Sequence, residues 1–285
     1  MTESPKKPES LKDIDDRLKA AFEREIFFVV GAPQSGGTRV QRMLDAHPEI
    51  RCAGEGHFTD WFGPPLKDLL GAYNDRLAAN NEALYRGQGH YTGYTTGDFR
   101  YLLKTAMGLA WAKLDLPPEK RLLGEKTPIL TQRLEFLEIL FPEAKVLHVV
   151  RDGREAAASA VAQRLSQGGD PALTPGSPAW YDLVAAAARG WEEATRACRV
   201  FGASRPERYH EVRTEDLHAD PRPHLGAVLR FLGAGDTPSD IDVCLTAVGE
   251  PPAMAPLFET LLDERARQFV IDLQGPLLRQ FDYLD

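Results

Sequence analysis

Two short, densely apolar runs, residues 26–30 (Ile-Phe-Phe-Val-Val) and 145–150 (Lys-Val-Leu-His-Val-Val), interrupt a chain that otherwise alternates apolar and polar positions at helical spacing. Their length, β-branched content and abrupt ends predict buried strands of a parallel sheet. Weaker runs at 121–124 and 209–212 predict two more strands. Leu11, Ile14, Leu18 and Phe22 share one stripe over 10–25, with Ser10 and Asp13 as a capping pair. This helix is expected to cover the sheet. Further helices are expected at 40–46 (ending at His47-Pro48), 64–84, 102–114, and from Thr127-Pro128 to Phe141. Others begin near Arg154, run from Ser177-Pro178 to Gly202, and lie near 221–232 and 256–280. The Gly- and Tyr-rich stretch 85–100 and the Gly/Pro-rich stretch 166–178 read as loops. Strands alternating with helices make the fold class α/β, a central parallel β-sheet flanked by helices. Ligands of such sheets sit at the carboxyl ends of the strands.

A length of 285 residues with 43% apolar side chains supports a full core. No repeat or linker divides the chain, so a single domain over 1–285 is expected. It would comprise an N-terminal covering helix (1–25), a motif-bearing core (26–233) and a C-terminal helical segment (234–285). The net charge of −8, from 34 basic and 42 acidic side chains, argues against nucleic acid or an anionic membrane as partner. Asp13, Asp15 and Asp16 read as a solvated helix face. Cys52, Cys198 and Cys244 form neither a metal-ligand spacing nor an even disulfide set, so no metal is expected and a reducing, cytoplasmic setting is. Residues 1–10 are polar and lack a signal-peptide core, and no apolar run has the length of a membrane span.

The chemistry concentrates where the two strongest strands end. After Val30 comes Gly31-Ala32-Pro33-Gln34-Ser35-Gly36-Gly37-Thr38, a Gly-rich turn that opens a helix. Backbone N–H groups and a helix N-terminus converging there suit a phosphate. The spacing is that of a P-loop, but Gly37 stands where the phosphate-binding lysine belongs. After Val150 comes Arg151-Asp152-Gly153-Arg154, with Ser159 two helical turns on. A guanidinium grips phosphate bidentately and a hydroxyl adds a donor. Two anion cradles at neighbouring strand ends would fit a nucleotide with phosphates on both sides of its ribose. A P-loop-type kinase or NTPase remains an alternative at this point, as does a structural strand–helix turn.

Taken in order, these segments resemble sulfotransferases that use 3′-phosphoadenosine-5′-phosphosulfate (PAPS). Residues 31–38 look like the family's 5′-phosphosulfate loop and 151–159 like its 3′-phosphate motif. The stretch 43–52 followed by Gly54-Glu55, with Glu125-Lys126-Thr127-Pro128 and Leu140-Phe141-Pro142, is closest to the tyrosylprotein branch and its bacterial relatives. The resemblance covers about residues 26–233 and implies the P-loop-like sulfotransferase fold. It implies PAPS as donor, PAP as product, and in-line sulfuryl transfer to an acceptor hydroxyl on a small molecule, a sugar or a peptide tyrosine. By position, Pro33, Gln34, Ser35, Gly36, Gly37 and Thr38 would hold the 5′-phosphosulfate, and Arg151 and Ser159 the 3′-phosphate. Glu55 falls at the general base and Lys126 at the cation beside the transferring group.

Some positions depart from the family pattern. Gln34 replaces the loop's basic residue and Gly37 its first threonine, which shifts the charge demand toward Lys126 or Arg39. Thr214 replaces the tyrosine of a Y-E-D-L-like segment at 214–217, and no late G-x-x-G-x-W-K-like segment is present. His57 is the rival base, because an imidazole titrates near neutrality. Trp191 reads as core. Tyr85, Tyr91 and Tyr94 read as a surface loop, with an acceptor pocket as the other option. A PAP(S)-binding protein with weak or no catalysis is the remaining alternative.

Overall fold

The computed structural model describes residues 9–168, 171–250 and 256–285. Most of the polar segment 1–10 and two positions of the expected loop at 166–178 lie outside the described residues. The chain begins with α1 (Leu11–Phe22), β1 (Glu25–Val30), α2 (Gly37–Ala46) and β2 (Ile50–Gly54). A π-helical turn (Phe58–Phe62) then leads into α3 (Gly63–Tyr85) and α4 (Thr96–Trp111). Next come β3 (Leu122–Lys126), a 3₁₀ stretch (Pro128–Arg133), α5 (Leu134–Leu140), β4 (Lys145–Val150), α6 (Gly153–Ser166) and α7 (Pro178–Ser204). A 3₁₀ turn (Pro206–Arg208) precedes β5 (Tyr209–Arg213), and α8 (Thr214–Ala219), α9 (Pro221–Leu232), α10 (Pro238–Val248), α11 (Leu257–Leu261) and α12 (Glu264–Gln280) follow.

The chain divides into a helical unit (1–25 and 57–121) and an α/β unit (26–56 and 122–285). In the helical unit α1 starts with the expected Ser10–Asp13 capping box. Expected as a cover for the sheet, it packs against α4, where Gly108 admits Phe22 and Leu18; a Cβ there would lie 2.3 Å from the Phe22 ring. Helix α4 starts at Thr96, inside the expected 85–100 loop, because Thr95 and Asp98 form a second capping box. The rest of that loop is tethered to α3. Asn74 exchanges hydrogen bonds with the Tyr94 backbone at 2.7 and 2.8 Å, and Asn81 donates to Tyr91 O.

The α/β unit is a five-stranded sheet of order β2-β3-β1-β4-β5. The β2–β3, β1–β4 and β4–β5 pairings are parallel, with Ile50 opposite Leu122, Phe27 opposite Lys145 and Val146 opposite Tyr209. Alternation sorts the side chains by face. Phe27, Val29, Leu147, Val149 and Val212 join α2 and α9 in one core, whereas Val150 meets Ala156, Trp191 and Leu278 in another. Trp191 is thus core, as expected, and is 1% exposed.

Strand β2 was not foreseen. Only Ile50 and Cys52 of its five residues are buried, and Arg51 breaks the apolar signal of an edge strand. Two helices, α8 and α10, were also missed, and the expected 256–280 helix is divided at Leu262-Asp263 into α11 and α12. Thr127 and Pro128 take the expected N-cap and first-turn positions, but of a 3₁₀ stretch, and Thr127 Oγ1 donates to the buried Glu125 carboxylate rather than to the turn.

Candidate functional site

Each strand of the sheet hands one residue to a single cavity of about 690 Å³. Gly31 follows β1, Glu55 follows β2, Lys126 ends β3, Arg151 follows β4 and Thr214 follows β5. The chain moves outward from β1 to the edge, returns through β3, and then builds β4 on the other side. That reversal beside β1 opens the crevice in which open α/β sheets bind ligands.

The loop after β1 is held in shape by backbone strain and one buried hydroxyl. Gly31 passes so close to β4 that a Cβ would lie 2.3 Å from Val149 O. Gln34 (φ 66°) and Gly36 (φ 86°) are left-handed. Thr214 Oγ1 donates to Ser35 O at 2.6 Å and lies where a Cβ on Gly36 would strike it, at 2.8 Å. Thus the residue standing in place of the family's tyrosine pins the loop. Gly36 is the N-cap of α2, and no side chain caps it, so the helix presents its N-terminal N–H groups uncapped by its own sequence.

The second wall comes from β2 and β3. Their register sets Gly54 opposite Lys126, so Glu55 emerges beside the lysine and the two form an ion pair. Lys126 is 6% exposed at its side chain and Glu55 45%. The Lys126 stem passes 3.8 Å from the position of a Gly37 Cβ, so it leans on the anion loop. Glu125, 2% exposed, accepts from Gly56 N at 2.7 Å and from Thr127 Oγ1 at 2.9 Å. It fixes the turn that aims Glu55.

Opposite stands Arg151. Its Nη1 donates to Gln34 O at 3.2 Å and to Ser159 Oγ at 3.1 Å, which joins the two sequence cradles directly. Trp191 Nε1 donates to Arg151 O at 3.0 Å and holds its backbone. Asp152 N donates to Glu215, whose other oxygen accepts from Tyr283 OH, so the Thr-Glu-Asp-Leu segment braces this turn. The Gln34 side chain donates to Gln163 Oε1 at 2.8 Å. Arg39 donates to the Val248 and Gly249 carbonyls at the end of α10.

Of the expected site residues, Pro33, Gln34, Gly36, Gly37, Thr38, Arg39, Glu55, Lys126 and Arg151 line the cavity. Ser35 is buried in the loop, and Ser159 reaches the site through Arg151. His57 belongs to the helical unit, where it adopts φ 49°, bonds Asp60 at 2.8 Å and stacks on Trp61 at 3.7 Å. Tyr85 and Tyr91 are exposed there, and Tyr94 packs on Tyr73. Gln163, Thr214 and His218 also line the cavity and were not singled out as site residues. The signal for two of them was present: Thr214 in the altered Y-E-D-L segment, and His218 one helical turn further on.

The donor set suits a polyanion. Arg39 Nε, Arg151 Nε and His218 Nε2 are buried nitrogens without a hydrogen-bond partner among the described residues, and Ser35 Oγ is in the same condition. Buried polar atoms are rarely left so, and an anion of two phosphate groups would satisfy them. Among the described residues, no group of three or more His, Cys, Asp or Glu side chains is placed to hold a metal ion. No helix among them is long and apolar enough to cross a membrane.

Comparison with known proteins agrees with this geometry. The chain is 26% identical over 233 residues to a protein-tyrosine sulfotransferase of Drosophila melanogaster, covering 76% of this chain and 40% of that one. It is 27% identical over 213 residues to protein-tyrosine sulfotransferase 2 of Gallus gallus, covering 74% and 52%. The chain therefore spans about half the length of these curated relatives or less. In fold it is similar to the sulfotransferase domain from the curacin biosynthetic pathway (TM-score 0.56, 19% identity, covering 92% of this chain and 99% of that one). Sulfotransferase STF9 from Mycobacterium avium gives TM-score 0.56 at 18% identity, covering 95% and 81%. The profile described as "Sulfotransferase family" matches residues 27–238, and with the strand-end site it contains, the chain belongs to that family.

Proposed function

We propose that this chain transfers a sulfuryl group from PAPS to an acceptor hydroxyl and releases PAP. The observation that carries the reading is the convergence of Thr38 and Arg151, over a hundred residues apart, on one cavity that Glu55 and Lys126 also line. In this reading the α2 N-terminus and the Ser35, Gly36, Gly37 and Thr38 donors take the 5′-phosphosulfate, and Arg151 with Ser159 takes the 3′-phosphate. Glu55 accepts the acceptor's hydroxyl proton as its oxygen bonds to sulfur. The bond from sulfur to the phosphate oxygen breaks in line, and Lys126 with the loop amides takes up the charge that develops there. Gln34 brings no charge to the loop, and in this reading Lys126, whose stem lies against Gly37, supplies the cation.

A peptide tyrosine is the acceptor class we favour, because the curated relatives carry that activity in their names. Residues 1–285 act in this reading as one sulfotransferase domain. All three cysteines are buried as thiols, which supports a reducing, cytoplasmic setting. Family membership and the absent P-loop lysine both weigh against a kinase or NTPase.

The test is calorimetric titration with PAP, followed by transfer of labelled sulfate from PAPS to a tyrosine-containing peptide. Wild type binds PAP, and Arg151→Ala weakens binding by about 10- to 100-fold, as expected for a lost charge-assisted contact. No binding heat from the wild type overturns the reading; PAP binding without transfer to any hydroxyl reduces it to a binding protein.

A further inference from the structure

We propose that His218 is a further ligand of the donor nucleotide, its ring Nε2 donating to the same phosphate that Arg151 grips. This rests on the PAP(S) reading above. The observations are geometric. His218 lines the cavity together with Arg39, Arg151 and Thr214. It stands four residues after Thr214 on α8, so both side chains look out from one face of that helix. Its Nε2 is buried and has no hydrogen-bond partner among the described residues. The segment otherwise lacks an aromatic or basic group at Thr214, where the family pattern has a tyrosine, and Thr214 is occupied with Ser35 O. His218 therefore supplies the polar ring this wall would lack.

The surroundings give the contact a proton linkage. The charged groups near the imidazole are Arg39 from α2, Arg151 after β4, and Glu215 on its own helix. Burial pushes the imidazole below its ordinary range; the two guanidiniums push the same way and Glu215 opposes them. Glu215 is already committed to Asp152 N and Tyr283 OH. Burial and the two guanidiniums therefore favour the neutral ring while no anion is bound. A phosphate entering beside Arg39 and Arg151 reverses the local sign. The ring then takes one proton from the solvent and donates it as a hydrogen bond to a phosphate oxygen. Donor binding and proton uptake are thereby coupled, and affinity rises as pH falls through the bound-state value.

The experiment is PAP calorimetry on the full chain and on His218→Gln, at about pH 6, 7 and 8.5, with two buffers of unlike ionisation enthalpy at pH 7. The expected ratio of wild-type to variant affinity is near one at the alkaline end and grows to about tenfold at the acid end, the size of one charge-assisted hydrogen bond. The wild type also takes up more protons per PAP bound than the variant. The PAP molecule titrates too, but identically for both proteins, so the ratio isolates the ring. His218→Lys, with a fixed charge, should bind PAP at alkaline pH at least as well as wild type, and it guards against a glutamine variant that folds poorly. A ratio that does not change with pH overturns the inference while leaving PAP binding intact. No heat in the wild type overturns both, and marks the nucleotide reading as the one at fault.

Discussion

Glu138 on α5 and Glu55 after β2 are both carboxylates held by basic side chains, and the geometry of the two clusters differs. Arg205 grips Glu138 as a fork, Nε to one oxygen at 2.6 Å and Nη2 to the other at 2.7 Å, and Arg208 adds a further bond. Those hydrogen bonds pull the carboxyl down to about pKa 2. A carboxylate so saturated cannot take a proton near neutrality. Glu55 meets a buried ammonium at a cavity wall while 45% of its own side chain stays exposed. Its backbone neighbour Gly56 is anchored by Glu125, so the turn aims the side chain. A carboxylate paired with basic side chains thus makes a structural rivet in one place and, in the proposed reaction, a reachable base in the other. What separates them is the two-arginine clamp on Glu138, whose side chain is 22% exposed, against the 45% exposure of Glu55 at the strand-end cavity.

The largest effect should come from Glu55→Gln, which keeps the shape and removes the proposed base. Turnover should fall by about 10²–10⁴-fold, the range of general-base catalysis, with PAP affinity unchanged. Glu138→Gln should leave turnover untouched. Equal turnover in Glu55→Gln and wild type would break the comparison at its centre and return the base role to another group. Lys126→Ala should lower turnover by about 10²–10³-fold, as loss of a transition-state donor does. Single-turnover assays at saturating donor keep both measurements on the chemical step.

The clarity of these contrasts follows what a linear pattern encodes. β1 and β4 were legible because they are central and apolar throughout, and the turns after them carry glycine where the backbone demands it. Gly31 and Gly36 had to be glycine, so the loop was written in the sequence. β2 was invisible because an edge strand with two buried residues has no such signal. Glu55 and Lys126 were found only through resemblance to a family; nothing local distinguishes them from solvated charges. The bracing residues are of a third kind. Glu125, Thr214, Glu215 and Trp191 act through contacts 40 to 179 positions away in sequence. Only the folded sheet reveals which oxygen each one meets. The start of α4 is legible in the sequence too, because Thr95 and Asp98 carry the capping-box spacing.

A smaller effect sharpens the comparison at the loop on which Lys126 leans. Thr214→Val removes the donor to Ser35 O and leaves a buried carbonyl without that bond. A loss of about 1–3 kcal/mol is expected for such a group, seen as a lower melting temperature. PAP affinity should fall by several-fold as the loop loosens, whereas the affinity of Glu138→Gln for PAP should match wild type. Thr214→Ser, which restores the hydroxyl, should recover most of both losses. A Thr214→Val protein with wild-type PAP affinity would show that backbone strain at Gln34 and Gly36 holds the loop alone.

The smallest effect belongs to the rivet. The Glu138 carboxyl lies at about 2 in the folded chain against an ordinary 4.5, so the folded state binds fewer protons than the unfolded chain between these values. A depressed folded pKa contributes stability that is present in full above the unfolded value and is lost as pH falls toward the folded one. Wild type should therefore be the more stable protein at pH 7, and its melting temperature should drop more steeply than that of Glu138→Gln between about pH 4.5 and 2. The two curves should converge at the acid end of that window. Circular dichroism melts in a pH series measure this, with Glu55→Gln as the contrasting control. A gap between wild type and Glu138→Gln that stays constant across the window would mean that the fork stabilises by shape and packing rather than by charge, and the distinction between rivet and base would then rest on exposure of the carboxylate alone.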